Sequence, residues 1–431
     1  MARVIVVGSG ISGLAVAAWL SEDHEVIVLE ASDTPGGNVR SEVIEGFVFD
    51  KAANGWLDDE PAVARLLEKL DVEEVKATEG DRYVVLDGEL VALPTSPKAF
   101  LTSPVLPWWA RLRAMLEPLM RRGPDEESVA SFARRRLGDR ALRNLIGPMV
   151  SGVYAGNPER LSLAACFPKL KVMEREHGSL ILAARHRGGG FGPKGRLTTL
   201  RGGAGELTLA LAAGLDVRTG ATVERIEPGW RVLGPELEMR CDAVVLATPA
   251  YTSATITRAL DNELAAGLEA TPYAGVAVVC AGLPRVDGLP DGFGALVPVE
   301  EGLGILGTLF TSSIFPGHGP EDGFALRTIL GGARNPLQAT LDPQELAAIA
   351  RRDNEALLGP LPPPLVTRVY QHPRGIPQYV LGHRDRVRGV RATAAAHPGL
   401  FLVGNHLEGI GVKNCIAAGE TCAARVGQWL S

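Results

Sequence analysis

Three glycines near the start of the chain have the spacing of a phosphate-binding loop. Gly8, Gly10 and Gly13 follow a short apolar run, and Glu30 ends the next apolar run. In a strand–turn–helix–strand unit of this kind, the first glycine allows a tight turn, the second lets the backbone approach a pyrophosphate, and the third lets the helix pack on the strand. An acid at this distance can accept hydrogen bonds from ribose hydroxyls. The pattern therefore predicts a dinucleotide site.

The segment after Glu30 resembles a motif of the flavin amine oxidase superfamily. It reads Ala31-Ser32-Asp33-Thr34-Pro35-Gly36-Gly37-Asn38-Val39-Arg40-Ser41, and its paired glycines would let the chain pass close to a cofactor. At the other end, residues 400–405 read as a strand and a turn, and residues 409–412 open the last helix. A helix N-terminus there can stabilise negative charge on a reduced flavin. Because both segments occur in one chain, we predict FAD rather than NAD.

The expected cofactor contacts come from the phosphate loop, the acid, the paired glycines, two strands in the middle of the chain and the C-terminal turn. They are Gly8, Gly10, Ile11, Ser12, Gly13, Glu30, Ala31, Gly36, Gly37, Val223, Ala247, Gly404, Gly409, Ile410, Gly411 and Val412.

The composition excludes several classes of protein. The 431 residues suit two or three domains, and an apolar content of 46% suffices for a sizeable core. The net charge of −6 argues against a nucleic-acid partner. The five cysteines are scattered without a CxxC pair, so no metal or redox-disulfide site is expected. No signal peptide and no uncharged apolar run of about 18–20 residues is visible, so we expect a cytoplasmic protein.

The predicted elements divide this α/β chain into three parts. They are an FAD-binding Rossmann-like domain (1–80, 196–260 and 390–431), a mixed-sheet substrate domain (81–95 and 261–389) and a helical insertion (96–195). Asp87-Gly88 predicts the turn of a hairpin, and the glycine-rich stretch 187–195 predicts a loop.

Four segments outside the flavin motifs resemble the protoporphyrinogen oxidases of bacteria and eukaryotes. They are residues 152–162, 166–168 with 174–181, 292–298 and 375–383, in the family's order and approximate spacing. The resemblance covers nearly the whole chain. It implies a flavoprotein with an FAD domain, a substrate domain and a helical domain that docks on the membrane. It also implies the removal of six electrons from a reduced tetrapyrrole, through FAD, to an acceptor that is usually dioxygen.

The same resemblance implies which residues contact the substrate. They are Arg82 beside a propionate, Asn54 near the flavin face, Gly152 and Gly294 where the ring needs room, and Phe293, Leu296 and Ile329 around the macrocycle. A guanidinium can bind a carboxylate through two hydrogen bonds. Each of the apolar residues can equally be read as core. No catalytic base is assigned, because hydride can pass from substrate to flavin without one; His383 and His177 are weaker candidates for that role.

Two positions near the expected flavin site depart from the pattern. Ala52-Ala53 stands where the family usually has Gly-Pro, and Thr34 stands where many superfamily members have Arg.

Several functions stay open at this point. Oxidation of protoporphyrinogen IX to protoporphyrin IX is the first expectation, and oxidation of coproporphyrinogen III to coproporphyrin III, with four propionates instead of two, is the second. An amine or polyene oxidase would need an aromatic pair beside the flavin, and the sequence shows no obvious one. A flavin-binding protein without activity is the most distant alternative. No second dinucleotide motif appears, which favours an oxidase over a nicotinamide-dependent reductase.

The segment from Phe100 to Leu116 has the composition of an interfacial helix. It combines apolar residues with the pair Trp108-Trp109 and with Arg111 and Arg113. Such residues suit the boundary between headgroups and lipid tails. We therefore expect peripheral attachment to the cytoplasmic membrane, with an ordinary amphipathic core helix as the alternative. A homodimer is left open.

Overall fold

The computed structural model describes residues 1–186 and 195–431, so the predicted loop 187–195 lies outside the described residues except for its last residue. The strands are β1 (Arg3–Val7), β2 (Glu25–Leu29), β3 (Ser41–Ile44), β4 (Phe47–Asp50), β5 (Trp56–Leu57), β6 (Glu74–Lys76), β7 (Arg82–Leu86), β8 (Glu89–Ala92), β9 (Leu197–Leu200), β10 (Asp216–Arg218), β11 (Arg225–Glu227), β12 (Arg231–Gly234), β13 (Leu237–Arg240), β14 (Ala243–Leu246), β15 (Tyr273–Pro284), β16 (Gly294–Leu296), β17 (Ile305–Phe310), β18 (Gly323–Gly331), β19 (Val366–Pro377) and β20 (Leu400–Leu402). The α-helices are α1 (Ile11–Leu20), α2 (Pro61–Leu67), α3 (Pro97–Thr102), α4 (Trp108–Met115), α5 (Val129–Leu137), α6 (Asp139–Ala141), α7 (Gly147–Tyr154), α8 (Leu163–Cys166), α9 (Pro168–His177), α10 (Leu180–His186), α11 (Gly205–Ala213), α12 (Ala250–Thr257), α13 (Asn262–Glu269), α14 (Thr311–Ile314), α15 (Pro343–Leu358), α16 (His383–Ala395) and α17 (Val412–Leu430).

A five-stranded parallel sheet joins strands from distant parts of the chain, in the order β10-β2-β1-β14-β20. Residues 4–7, 26–29 and 243–246 are all buried, as expected for strands covered by helices on both faces. Helices α1 and α17 cover one face, and α12, α13, α16 and the β11–β13 sheet cover the other. The predicted α/β class with a Rossmann-like sheet is confirmed.

The first and last long helices pack directly on each other. A Cβ at Gly419 of α17 would lie only 2.7 Å from the Ala15 Cβ of α1. The absence of a side chain at Gly419 therefore permits the close approach. This contact brings the glycine loop at the start of the chain beside the turn that precedes α17.

A seven-stranded mixed sheet has the order β19-β15-β18-β17-β16-β7-β8. All its neighbouring strands run antiparallel except β16 and β7. The β7–β8 turn has positive φ at both Asp87 (53°) and Gly88 (79°), which is typical of a two-residue hairpin. One face of the sheet packs on α15, and the opposite face borders a large cavity.

Helices α3 to α10 form the helical part of the chain around a buried ionic network. The Arg136 guanidinium is fully buried and donates to Glu117 at 2.9 Å and to Glu174 at 2.6 Å. No helix in the described part of the chain is long and apolar enough to cross a membrane.

The predicted division into three domains stays a prediction. Helix α13, which falls in the predicted substrate region, and helix α16, which crosses the predicted boundary after residue 389, bury Leu264, Leu268 and Val390 in the cluster that covers the parallel sheet. The apolar faces of these helices, rather than their place in the chain, determine which sheet they cover.

Candidate functional site

The phosphate loop has the tight geometry that its glycines predict. Gly8 has a φ of +101°, and a Cβ at Gly13 would lie 2.1 Å from the Gly8 carbonyl oxygen. A Cβ at Gly10 would meet no atom of the described residues within 4 Å, so the backbone is open there. Ile11 and Ser12 form the first turn of α1 and are buried. The loop can accept a pyrophosphate at Gly10 and at the N-terminus of α1.

The paired glycines pass directly over this loop. The Gly36 amide donates to the Ser9 carbonyl at 3.0 Å, and a Cβ at Gly37 would lie 3.1 Å from the Gly10 Cα. Their lack of side chains lets two backbone segments cross at the edge of the expected dinucleotide site.

Glu30 is held as an ionised acceptor beside the loop. Ser9 donates to its carboxylate from Oγ at 2.6 Å and from the amide at 2.9 Å, and Ser32 donates to the other oxygen from its amide at 2.9 Å. Burial acts to raise the pKa of the Glu30 carboxyl, but the hydrogen bonds from Ser32 and Ser9 outweigh it and keep that pKa below its ordinary value. Ala31 follows at the surface. An open glycine loop and an ionised acid fit the adenosine half of FAD.

Val223 and Ala247, the two mid-chain residues of the predicted cofactor set, lie close to strands β1 and β2. The Ala247 amide donates to the Val7 carbonyl at 2.9 Å, and its Cβ would be 3.0 Å from a Cβ at Gly13. Val223 is buried in the cluster that contains β1 and β2 residues. Their contacts with FAD stay a prediction.

Tyr379 and His383 hold the C-terminal turn through its backbone carbonyls. The Tyr379 hydroxyl donates to the Asn405 carbonyl at 2.5 Å, and the His383 Nε2 lies 3.1 Å from the Leu407 carbonyl. The two rings stack with centroids 3.9 Å apart. Because a carbonyl only accepts, His383 must carry its proton on Nε2, and burial lowers the His383 pKa to about 4. His383 therefore positions the turn as a neutral donor and is poorly placed to act as a base.

A cavity of about 1570 Å³ joins this turn to the mixed sheet. Of the residues predicted for the cofactor, Gly404, Gly409, Ile410, Gly411 and Val412 line it. Of those predicted for the substrate, Asn54, Gly152 and Ile329 line it. His177 does not line it and instead stacks on His186.

The other predicted substrate residues lie beside the cavity rather than in its wall. Gly294 pairs with both Arg82 and Leu309, so Arg82 shares a sheet face with the cavity-lining Leu309. The exposed Arg82 guanidinium lies 4.4 Å from the centroid of the Phe293 ring. A Cβ at Gly152 would lie 2.6 Å from Leu296 Cδ2, so this glycine makes room for a leucine. The four substrate roles stay predictions.

Sequence reasoning missed a buried arginine in the cavity wall. Arg327 lines the cavity and donates to the carbonyl oxygens of Asp50 and Ala52, while His372 Nε2 lies 2.9 Å from the Lys51 carbonyl. Burial lowers the pKa of His372, so its imidazole is neutral. The two side chains hold three successive carbonyls of the segment that leads to Asn54. The signal was a single charged residue in the otherwise uncharged sequence of β18.

The two departures from the family pattern have local partners. Arg327 binds the carbonyl of Ala52, the first residue of the Ala-Ala pair. The Thr34 hydroxyl accepts a hydrogen bond from Arg40 at 3.1 Å. Both segments are therefore held by arginines of this chain.

The sequence also failed to reveal an aromatic pair. Tyr154 and Tyr379 both line the cavity, with ring centroids 5.9 Å apart and planes inclined by 58°. Their hydroxyls donate to the carbonyls of Cys166 and Asn405, so both are engaged by the backbone.

Comparisons with known proteins match nearly the whole length of this chain. The family model of flavin containing amine oxidoreductases matches residues 11–427. The chain is 31% identical to protoporphyrinogen oxidase 1, chloroplastic, of Spinacia oleracea, over 99% of this chain and 84% of that protein. It is also 31% identical to coproporphyrinogen III oxidase of Propionibacterium freudenreichii subsp. freudenreichii, over 98% and 90%. A solved structure described as a candidate protoporphyrinogen oxidase from Exiguobacterium sp. 255-15 superposes with a TM-score of 0.89 at 24% identity, covering 99% of each chain, which shows the shared fold.

Proposed function

Because the chain belongs to the flavin containing amine oxidoreductases and, within them, to the protoporphyrinogen oxidase family, we propose that it oxidises a porphyrinogen to the porphyrin in haem biosynthesis. Protoporphyrinogen IX is the first substrate, and dioxygen is the proposed terminal acceptor. One observation of the geometry carries the proposal. A single cavity is lined both by the expected flavin turn and by the apolar face of a sheet.

FAD, when bound, supplies the two-electron acceptor for each of the three oxidation steps. The residues that would hold its adenosine half are Glu30 and the loop around Gly10, and those that would hold its reactive half line the cavity between residues 404 and 412. What remains for the chain is to orient the substrate, to exclude water and to stabilise charge.

The first turn of α17 supplies positive potential without a charged side chain. This 19-residue helix begins after Gly411, with no side-chain cap and no acid in its first turn. The first amides of a helix lack partners within the helix, and the helix dipole adds partial positive charge there. Gly411 and Val412 line the cavity. This end of the helix is therefore placed to stabilise negative charge on a reduced flavin.

The mixed sheet supplies an apolar surface for a large ring. Val276, Val278, Leu309 and Ile329 line the cavity, and the register of β15, β17 and β18 puts all four on one face. Such a surface excludes water and fixes the plane of a flat macrocycle against the flavin, which favours hydride transfer by orientation.

Coproporphyrinogen III is the second candidate substrate, supported by the named relative that shares 31% identity. An amine oxidase activity is less well supported, because the Tyr154 and Tyr379 rings are inclined by 58° instead of parallel and His383 stacks on one face of the Tyr379 ring. A porphyrinogen oxidase requires no aromatic cage.

Side-by-side turnover separates these candidates. The FAD-loaded protein is mixed with chemically reduced protoporphyrinogen IX, with coproporphyrinogen III and with a panel of primary amines, and porphyrin fluorescence and dioxygen uptake are followed. We expect porphyrin formation well above the spontaneous rate and no amine-dependent uptake. Protein that holds FAD and leaves both porphyrinogens at the spontaneous rate would refute the proposed activity.

Peripheral membrane attachment at the cytoplasmic surface is the proposed localisation. The side chains of Trp108, Trp109 and Leu119 are 71%, 49% and 74% exposed on the helical part. Large exposed apolar groups of this kind mark interaction surfaces. The predicted headgroup role of the arginines is not supported, because Arg113 is bound to the carbonyls of residues 135 and 136 and Arg111 to that of Leu101. A homodimer stays a prediction that light scattering of the purified protein tests.

A further inference from the structure

The outer end of the cavity is a slot at the open edge of the parallel sheet. It lies beside the edge strand β20, between helices α16 and α17, which cover opposite faces of that sheet. The slot is lined by Arg384, Arg388 and Arg391 of α16, by Leu402 of β20, and by Cys422 and Arg425 of α17. It therefore has the position that a sixth strand of the sheet would occupy.

Strand β20 presents backbone groups to this slot. On its inner edge, the Val244 amide of β14 donates to the Gly399 carbonyl at 2.8 Å, and the Val403 amide donates to the Leu246 carbonyl at 3.0 Å. Because successive residues of a strand direct their backbone groups to alternate edges, Leu402 directs its amide and carbonyl into the slot. Neither group has a backbone partner among the described residues. An edge of this kind is a template for pairing with another strand.

The walls of the slot are basic, although the net charge of the chain is −6. Arg384 and Arg425 are exposed and form no ion pair with any described residue, whereas Arg391 pairs with Glu408 at 2.7 Å. A cleft lined by one sign of charge attracts ligands of the opposite sign. The slot therefore favours an acidic occupant.

Arg384 and Arg425 lie at opposite ends of the slot. Helices α16 and α17 both begin beside the C-terminal turn, so Arg384, in the first turn of α16, lies at that end. Arg425 is thirteen residues beyond Val412, which is about 20 Å along α17 at 1.5 Å per residue. An extended chain of about six residues, at about 3.3 Å each, spans the same distance.

We propose that the slot binds an extended segment of a partner protein, which pairs with β20 as a sixth strand and places acidic side chains at Arg384 and Arg425. Main-chain hydrogen bonds give such pairing its affinity, and the side chains give it specificity. Small apolar side chains in the middle of the segment suit contact with Leu402 and Cys422. A second copy of this chain does not suit the slot, because pairing β20 with β20 would bring two basic walls together.

Four fluorescein-labelled peptides of ten residues test this pairing with the FAD-loaded protein, by fluorescence polarisation. The first has alternating Val and Thr in its centre and two Glu at each end, and the second has Lys in place of Glu. The other two are versions of the acidic peptide with N-methyl groups on alternate amides, one version for each edge of the extended chain. Methylation removes the hydrogen-bond donors of one edge and leaves the side chains unchanged.

The double variant Arg384→Glu/Arg425→Glu is compared with wild type and with Arg240→Glu. Arg240 is a matched control, since it is exposed on β13, lies outside the cavity and forms no ion pair with any described residue. Retention of FAD and the melting temperature verify that each variant is folded.

We expect the acidic peptide to bind wild type at least tenfold more tightly than the Lys peptide, the double variant to reverse this preference, and Arg240→Glu to leave it unchanged. One methylated version should bind and the other should not, because only one edge of the peptide pairs with β20. Absence of binding by the acidic peptide would overturn the proposal and leave the arginines as charges that protect the edge from pairing. Equal affinity of the two methylated versions would also overturn it, by showing charge attraction without strand pairing.

Discussion

Among single residues, Glu30 has a carboxylate whose charge and orientation are fixed by hydrogen bonds within the protein. Hydrogen bonds from Ser9 and Ser32 keep it ionised and oriented. Glu30→Ala removes an acceptor for ribose hydroxyls, and a hydrogen bond to a charged group contributes about 1.5–3 kcal/mol. We expect FAD affinity, measured by fluorescence titration of the apoprotein, to fall tenfold or more. Equal affinity in Glu30→Ala and wild type would contradict the ribose contact.

Arg327 is the residue on which the segment before Asn54 depends. Its replacement by Met leaves the carbonyls of Asp50 and Ala52 without their buried donor, at about 1–3 kcal/mol for each unsatisfied group. We expect a lower free energy of unfolding in urea and weaker FAD retention. The control is Arg368→Met, an exposed arginine on β19, which lies two strands away from β18 in the same sheet. Equal effects of the two substitutions would argue against a specific role for Arg327.

The site residues could be predicted only where a local pattern specifies them. Gly8, Gly10 and Gly13 are recognisable because one turn needs all three. Arg327 is not, because its partners lie 275 or more residues away in the chain. The propionate role of Arg82 stays a prediction, and the position of its guanidinium beside Phe293 depends on how β7 and β16 pair.

At the scale of the element, buried strands and tight turns were predictable, whereas the surroundings of helices were not. The apolar runs of β1, β2 and β14 and the Asp87-Gly88 hairpin carry their signal within a few residues. Helix α4 carried apolar and basic residues, but which of them face water depends on α5. Arg113 turns inward to the C-terminal carbonyls of that helix, while Trp108 and Trp109 stay outside.

The exposed tryptophans of α4 lead to a test of membrane attachment. Trp108→Ser/Trp109→Ser removes the apolar contact with the bilayer interface without removing a buried side chain. We expect wild type to sediment with phosphatidylglycerol-containing vesicles and the double variant to stay in the supernatant with FAD bound. Since Arg111 and Arg113 are engaged within the chain, sedimentation should weaken only modestly with salt. Trp429→Ser, at an exposed tryptophan at the end of α17, is the control and should still sediment.

The ionic network of the helical part predicts how stability depends on pH. Burial acts to raise the pKa of the Glu174 carboxyl, but hydrogen bonds from Lys171, Arg135 and Arg136 outweigh it and lower that pKa from 4.5 to about 2. A lowered pKa stabilises the fold above the unfolded value, and this contribution is lost as the pH falls towards 2. Glu174→Gln should cost about 3–5 kcal/mol at neutral pH, because it breaks a buried ion pair and leaves the fully buried Arg136 with Glu117 as its acidic partner.

The unfolding free energies of wild type and Glu174→Gln should therefore converge as the pH falls from 5 to 2, as measured by urea denaturation. Glu159→Gln is the control, since Glu159 is an exposed partner of Arg134 whose loss should cost less than about 1 kcal/mol. A constant gap between wild type and Glu174→Gln across this range would show that the carboxylate does not stabilise the network through its charge.

At the scale of the whole molecule, the expected FAD contacts come from the start, the middle and the end of the chain. The parallel sheet draws β1 and β2, then β10 and β14, and finally β20 from segments separated by hundreds of residues. No single segment can hold the cofactor, so its binding requires all of them to be folded together. A ligand that binds only the folded state stabilises it by RT ln(1 + [L]/Kd).

This linkage predicts that FAD stabilises the chain as a unit. Apoprotein prepared by removal of the flavin should melt at a lower temperature than holoprotein. Once free FAD exceeds its Kd, each tenfold increase should add about 1.4 kcal/mol to the free energy of unfolding. Glu30→Ala should need a higher FAD concentration for the same gain. Circular dichroism of the helices and fluorescence of the tryptophans should give one coincident transition in the holoprotein. If the chain melts at the same temperature with and without saturating FAD, the predicted stabilisation by the cofactor is wrong.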